Sequence, residues 1–162
     1  MIQKLRSINW LGATFLILAP IAAVLLTLRH LQTEGFVWEV WALAGVFYFL
    51  TVLSITGGYH RYFAHRAYEC RTWLKWFWAL FGAASFQNSI WVWARDHRVH
   101  HRFVDTDKDP YSINNGFWFA HMGWMLKVPE VPIAVGPYGR DLERDPVVTM
   151  QHKYYVPIAI AM

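Results

Sequence analysis

Two long apolar runs, each without a charged residue, set the pattern of this chain. Ile8 to Leu28 holds 21 residues with no Asp, Glu, Lys or Arg, and Val40 to Tyr59 holds another 20. As a helix the first run extends about 32 Å, enough to cross the hydrocarbon core of a bilayer, and membrane helices tolerate an internal proline such as Pro20. The connector between them, Arg29 to Glu39, carries Arg29, Glu34 and Glu39. The pattern predicts a transmembrane helical hairpin over residues 1–59. The basic start, MIQKLRSINW, is that of a signal peptide, but the apolar run is too long for one and no small-residue cleavage site follows it, so an uncleaved anchor is expected.

The pattern then shortens. Trp76 to Phe86 is apolar but, at 11 residues, too short to span. Leu74, Phe77, Trp78 and Phe81 recur at helical spacing and predict one buried face, with the small residues Ala79, Gly82 and Ala83 elsewhere on the wheel. Gln87-Asn88-Ser89 interrupts this apolar sequence and Ile90 to Ala94 resumes it. Phe103 to Gly116 and Val128 to Gly139 read as loops, and Phe117 to Lys127 as one aromatic helix between them. Tyr154 to Met162 has the composition of another span that stops early. The expected organisation is all-α: a membrane hairpin over 1–59, a histidine-rich region over 60–153, and a truncated third span over 154–162.

Composition agrees with a membrane protein. Apolar residues make up 56% and charged residues 16%, against about 25% charged in soluble domains. Ten Trp, eleven Phe and eight Tyr suit interfacial belts or an apolar substrate channel. The net charge of +4 does not indicate nucleic acid, because the basic residues flank apolar segments and form no recognition module. Lys4 and Arg6 precede the first span, and Arg61, Arg66, Arg71 and Lys75 follow the second, while the connector holds only Arg29. The positive-inside rule therefore places both ends, and everything just after the hairpin, in the cytoplasm. The single cysteine, Cys70, excludes an intrachain disulfide and a self-contained cysteine-ligated cluster.

Five of the eight histidines fall in two short windows just beyond apolar sequence, HRYFAH (His60, His65) and HRVHH (His97, His100, His101). Five imidazoles exceed the four positions of one tetrahedral zinc, and the absence of nearby cysteines argues against common zinc modules. Imidazole-rich sites suit iron, copper or zinc, so the residues alone leave the metal open. His97, His100 and His101 share one face of an α-helix, while Arg95, Arg98 and Arg102 lie on another stripe, roughly 140° away, free for an anionic head group. His60 and His65, five apart, fall roughly 140° apart on an α-helix. Either the helix ends within the box, or the two histidines serve different ions.

Asp105, Asp107 and Asp109 open like a calcium loop, but Pro110 and Gly116 stand where Gly and Glu are required. These carboxylates are expected to cap, to sit in solvent or to back a histidine. Asp96 is expected either to orient an imidazole or to pair with an arginine. His121 is expected to be packed, and His30 and His152 are not expected to be ligands.

The stretches GGYHRYFAHRAYEC, WARDHRVHHRFVDTDKDPY and GFWFAHMGWM resemble the membrane fatty-acid desaturases, and among them the Δ9, stearoyl-CoA-desaturase-like acyl-CoA desaturases. The resemblance is strong over Gly57 to Trp124. It implies four membrane helices, a cytoplasmic helical cap, and two iron ions held by histidines from three boxes. It also implies an oxygen-dependent reaction that leaves a cis double bond in a fatty acyl chain. By position His60, His65, His97, His100 and His101 correspond to iron ligands. Gln87 and Asn88 correspond to residues at the bend of the acyl tunnel, and Arg95 and Asp96 to residues that contact the CoA head group. The third histidine box does not occur within these residues, so the chain is expected to be an N-terminal portion, inactive alone. With only Lys127 in place of a basic CoA-binding region, the expected carrier is CoA, another thioester or a membrane lipid. An external electron donor, of ferredoxin or cytochrome b5 type, is implied. A membrane di-iron hydroxylase and an inactive metal-binding fragment are the alternative readings.

Overall fold

The computed structural model describes residues 8–127 and 138–162. Lys4, Arg6 and most of the 128–139 loop, on which parts of the orientation and carrier readings rest, lie outside the described residues. Helix α1 covers Trp10–Thr33 and starts where the Asn9 side chain accepts from the Gly12 N–H. Pro20 sits inside it. Helix α2, Trp38–Leu53, passes directly into a π-helical segment, Ser54–Ala64. The two helical runs, of 24 and 27 residues, are long and apolar enough to cross a membrane, and their apolar side chains are almost wholly uncovered. Leu, Ile, Val and Phe left bare over such lengths would be driven to bury themselves in water, but have no need of cover in lipid. The second run continues past Tyr59, so His60 stands on the spanning helix itself.

Four shorter helices follow: α3 (Thr72–Ala83), α4 (Ile90–Phe103), α5 (Phe117–His121) and α6 (Pro146–Lys153), with α7 (Tyr155–Ala161) after them. No strand occurs among the described residues; one isolated bridge joins Ile8 to Lys127. The aromatic stretch 117–127 does not form one helix. It breaks at Met122, and Gly123–Leu126 is a 3-10 turn whose Met125 and Leu126 carbonyls accept from the Asn9 side chain and backbone.

The buried core lies where the π segment, α3, α4 and α6 meet, and comprises Tyr59, Phe63, Ala64, Trp78, Ala79, Ile90, Ala94, Leu142, Val147 and Val148. The buried face of α3 is Trp78, Ala79, Gly82 and Ala83, not the larger Leu74, Phe77 and Phe81. The reason is close approach of two helices through glycine. A Cβ on Gly82 would fall 2.2 Å from the Tyr59 ring, and one on Gly58 would fall 2.6 Å from Trp78. Each aromatic ring of one helix thus fills the space over a glycine of the other.

Gln151, on α6, is fully buried and ties this core together. Its amide donates to the Tyr59 hydroxyl at 2.7 Å and to the Ala79 carbonyl at 3.4 Å, and its oxygen accepts from the Ile90 N–H at 3.0 Å. One side chain therefore joins all four elements. No histidine-based or periodic signal marks it in the sequence.

Candidate metal centre

The π segment places the first box and α4 places the second. In a π-helix the hydrogen bonds close from residue i to i+5, so residues five apart stack on one face. The His65 N–H accordingly bonds to the His60 carbonyl at 2.9 Å. Both side chains then point the same way; the helical segment also ends at Ala64, within the box, as one of the two expectations had it, with the π register added to it. On α4, His97 and His101 lie one turn apart. Four ring nitrogens converge: Nε2 of His65 is 3.1 Å from Nε2 of both His60 and His97, and Nε2 of His101 is 3.1 Å from that of His97.

These four imidazoles could hold a metal ion, since one ligand atom from each lies within 4.8 Å of all the others. Bonds of about 2.0–2.1 Å to a tetrahedral ion require nitrogens about 3.4 Å apart, close to the observed contacts. His97, at its centre, is held neutral, with its pKa pushed down to about 3 by burial first and then by His101, His60, His65 and His100. The His65 pKa is lowered too, by burial first and then by His60, His101 and the nearby Arg98 charge. Neutral imidazoles with lone pairs aimed at a common point are what a transition metal needs.

The fifth predicted ligand, His100, stands beside this group. Its Nδ1 lies 2.8 Å from Oδ1 of Asp109, and its ring packs on Tyr111. The Asp109 side chain is buried and also accepts from the N–H groups of Asp105 at 2.9 Å and Tyr111 at 3.1 Å. Burial alone would raise its pKa; the bonds from His100 and the two N–H groups outweigh that and lower it. Asp109 is thus an ionised acceptor, His100 donates to it from Nδ1, and the other ring nitrogen of His100, Nε2, is turned away from this pair.

The other predicted residues surround the four histidines. Gln87 and Asn88 occupy the turn between α3 and α4, where Phe86 and Asn88 take positive φ values of 56° and 80°. Gln87 Oε1 accepts from the Trp93 indole at 3.4 Å, and Trp93 stacks on the His97 ring at 4.8 Å. Trp93 belongs to no motif in the sequence; its place one turn before His97 is the signal that marks it. Arg95 pairs with Asp96 through Nε at 2.7 Å and lies over the Trp91 ring. Burial raises the Asp96 pKa against the opposing pull of Arg95. Of the two roles open to Asp96, the structure shows the arginine pair.

Arg98 corrects the picture of a free arginine stripe. Its guanidinium is turned into the protein, where it forms a two-point pair with Asp141 at 2.7 and 2.9 Å and bonds to the carbonyls of Phe63, Ala64 and Tyr138. It has no donor left for a head group. His121 stacks on Phe117, and His152 bonds to the Ser89 hydroxyl at 2.7 Å; neither belongs to the converging set.

Residues 36–160 match the sequence profile of the family described as fatty acid desaturase. The chain is 41% identical over 159 residues to a probable acyl-CoA desaturase of Schizosaccharomyces pombe, covering 97% of this chain and 32% of that protein. It is 48% identical over 109 residues to an acyl-CoA Delta12-desaturase of Acheta domesticus, 65% of this chain and 30% of the relative. It is 40% identical over 127 residues to the stearoyl-CoA desaturase of Homo sapiens, 75% of this chain and 35% of the relative. The chain thus spans about a third of the length of these relatives.

Proposed function

The chain belongs to the fatty acid desaturase family, and we propose that it is part of a membrane acyl desaturase that introduces a cis double bond into a fatty acyl chain. The observation that carries this reading is the convergence of His60, His65, His97 and His101 at the end of a membrane-length helix. We assign these four, with His100 through its free Nε2, as ligands of two iron ions, the remaining ligands coming from protein outside these residues. Bound iron would supply the activation of O₂, with two electrons from an external donor of ferredoxin or cytochrome b5 type.

The chain's own residues bind, orient and shield. Trp93, stacked on His97 and bonded to Gln87, links the turn at 86–88 to the histidines. An acyl chain bent at Gln87 and Asn88 would therefore pass beside them. Arg95, largely covered on α4 and held by Asp96 through Nε and one Nη, would offer its other Nη to an anionic head group, as in an acyl-CoA, the substrate class named for the relatives. We place the histidines on the cytoplasmic face, from the basic residues Arg61, Arg66 and Arg71 that follow the second span.

The test is expression of the intact protein in a desaturase-deficient host, with profiling of its fatty acids. Unsaturated products, lost with His97→Ala, are expected. Hydroxylated products would assign the protein to hydroxylation instead, and an unchanged profile would count against either activity.

A further inference from the structure

The two histidine pairs come from helices more than thirty residues apart in sequence, and something must fix their separation. The geometry points to Arg98 and Asp141 as that device: we propose that they form a brace that sets the spacing between the first and second histidine boxes. The brace would thereby control metal affinity without touching the metal. This inference rests on the metal-binding reading above.

Arg98 lies on α4 directly after His97. It has five N–H groups, and all five have acceptors at 2.5–3.0 Å: the carbonyls of Phe63, Ala64 and Tyr138 and both oxygens of Asp141. Phe63 and Ala64 are the last two residues of the π segment, immediately before His65. The final backbone bonds there run from Arg66 to Tyr62 and from Ala67 to Arg61, so the Phe63 and Ala64 carbonyls depend on a side chain for a donor. Arg98 is that donor. Its guanidinium therefore holds the end of the first box at a set distance from His97, its own neighbour.

Asp141 completes the arrangement from a turn that precedes α6. It meets Arg98 with both oxygens, and one of them also meets Arg66, the residue after His65, at 2.8 Å. A planar fork facing a carboxylate has one good orientation. The carboxylate thereby fixes the plane of the guanidinium, and the guanidinium fixes the two carbonyls. A lysine at 98 would keep the charge but could not span the carboxylate and both carbonyls.

The intact protein in detergent, stripped of metal and titrated with Co(II), tests the brace. Visible absorption reads affinity and ligand geometry together, and circular dichroism of the metal-free protein reads the fold. For Arg98→Lys the expected result is binding weakened about tenfold or more, with an altered visible band and retained helicity. Asp141→Asn is expected to weaken binding in the same direction, and decides the matter if Arg98→Lys does not fold. Binding by Arg98→Lys as tight as the parent's, with the same spectrum, would overturn the brace while leaving the metal reading intact. Loss of fold in both variants would overturn it as well, since the pair would then support the fold rather than the site. A parent protein that binds no Co(II) would remove the metal reading itself, and the brace with it.

Discussion

His60 and His65 present their Nε2 atoms 3.1 Å apart because the backbone between them is a π-helix. Most π turns in proteins are single bulges; this segment runs for 11 residues. Its length matters less than its register. The same HxxxxH spacing on an α-helix would send one imidazole away from the other, and only the wider turn joins them with His97 and His101.

Register can therefore be broken by one residue. Insertion of an alanine between Tyr62 and Phe63 is expected to turn His65 out of the cluster. Metal content per chain, measured by mass spectrometry on the intact purified protein, should fall to near zero. Full metal content would show that the first box does not depend on the π register.

The glycine–aromatic interlock that seats this segment is a second point of sensitivity. Gly82→Ala would drive a Cβ to within 2.2 Å of the Tyr59 ring. Overpacking of this kind costs about 1–3 kcal/mol, so a lowered melting temperature is expected. Because Tyr59 adjoins His60, weaker metal binding should accompany it. An unchanged melting temperature would mean that α3 moves away freely.

Gln151→Leu keeps most of the side-chain volume but strands the Ile90 N–H in the core. An unsatisfied buried group costs about 1–3 kcal/mol. Thermal unfolding in detergent should show that loss, while Gln151→Glu, which retains an acceptor for the Ile90 N–H and can accept from the Tyr59 hydroxyl, is expected to lose only the bond to the Ala79 carbonyl.

Asp109→Ala removes the carboxylate that holds His100 by Nδ1. The free Nε2 is then no longer aimed. Loss of such backing groups weakens metal binding about 10–100-fold. The expected signature is fewer metal ions retained per chain after dialysis, with the parent stoichiometry kept by Asp107→Ala.

Acid stability should depend on Asp141. Partial burial raises its pKa, but the hydrogen bonds and charges of Arg98 and Arg66 prevail and bring it from 3.8 down to about 2. A carboxylate with a depressed folded pKa adds stability above its unfolded value, and that contribution is lost as pH falls through the folded one. The gap in melting temperature between the parent and Asp141→Asn is therefore expected to be full above about pH 4 and to close by about pH 2. A gap that stays constant over that range would show that the ion pair contributes nothing.

Much was already legible in the residues themselves. The two uncharged runs specified two membrane-length helices, because about 20 helical residues match the thickness of a bilayer's hydrocarbon core. The histidine windows specified a candidate metal site, because several imidazoles within a few residues of one another are the donor set that a transition metal takes. The HRVHH spacing also placed His97 and His101 on one face, since α-helical periodicity is local.

Relations between segments were not local, and the tertiary structure alone decided them. The π register reconciled His60 with His65. The Asp109 contact drew His100 aside from the other four imidazoles. Gln151 and Asp141 carry no sequence signal, because their partners lie 43 to 92 residues away. The same holds for Arg98: helical spacing set its stripe, but only packing could show that the stripe faces the first box. Hydrophobic periodicity tells which face is buried or free on average; it does not say which backbone carbonyls will be waiting there.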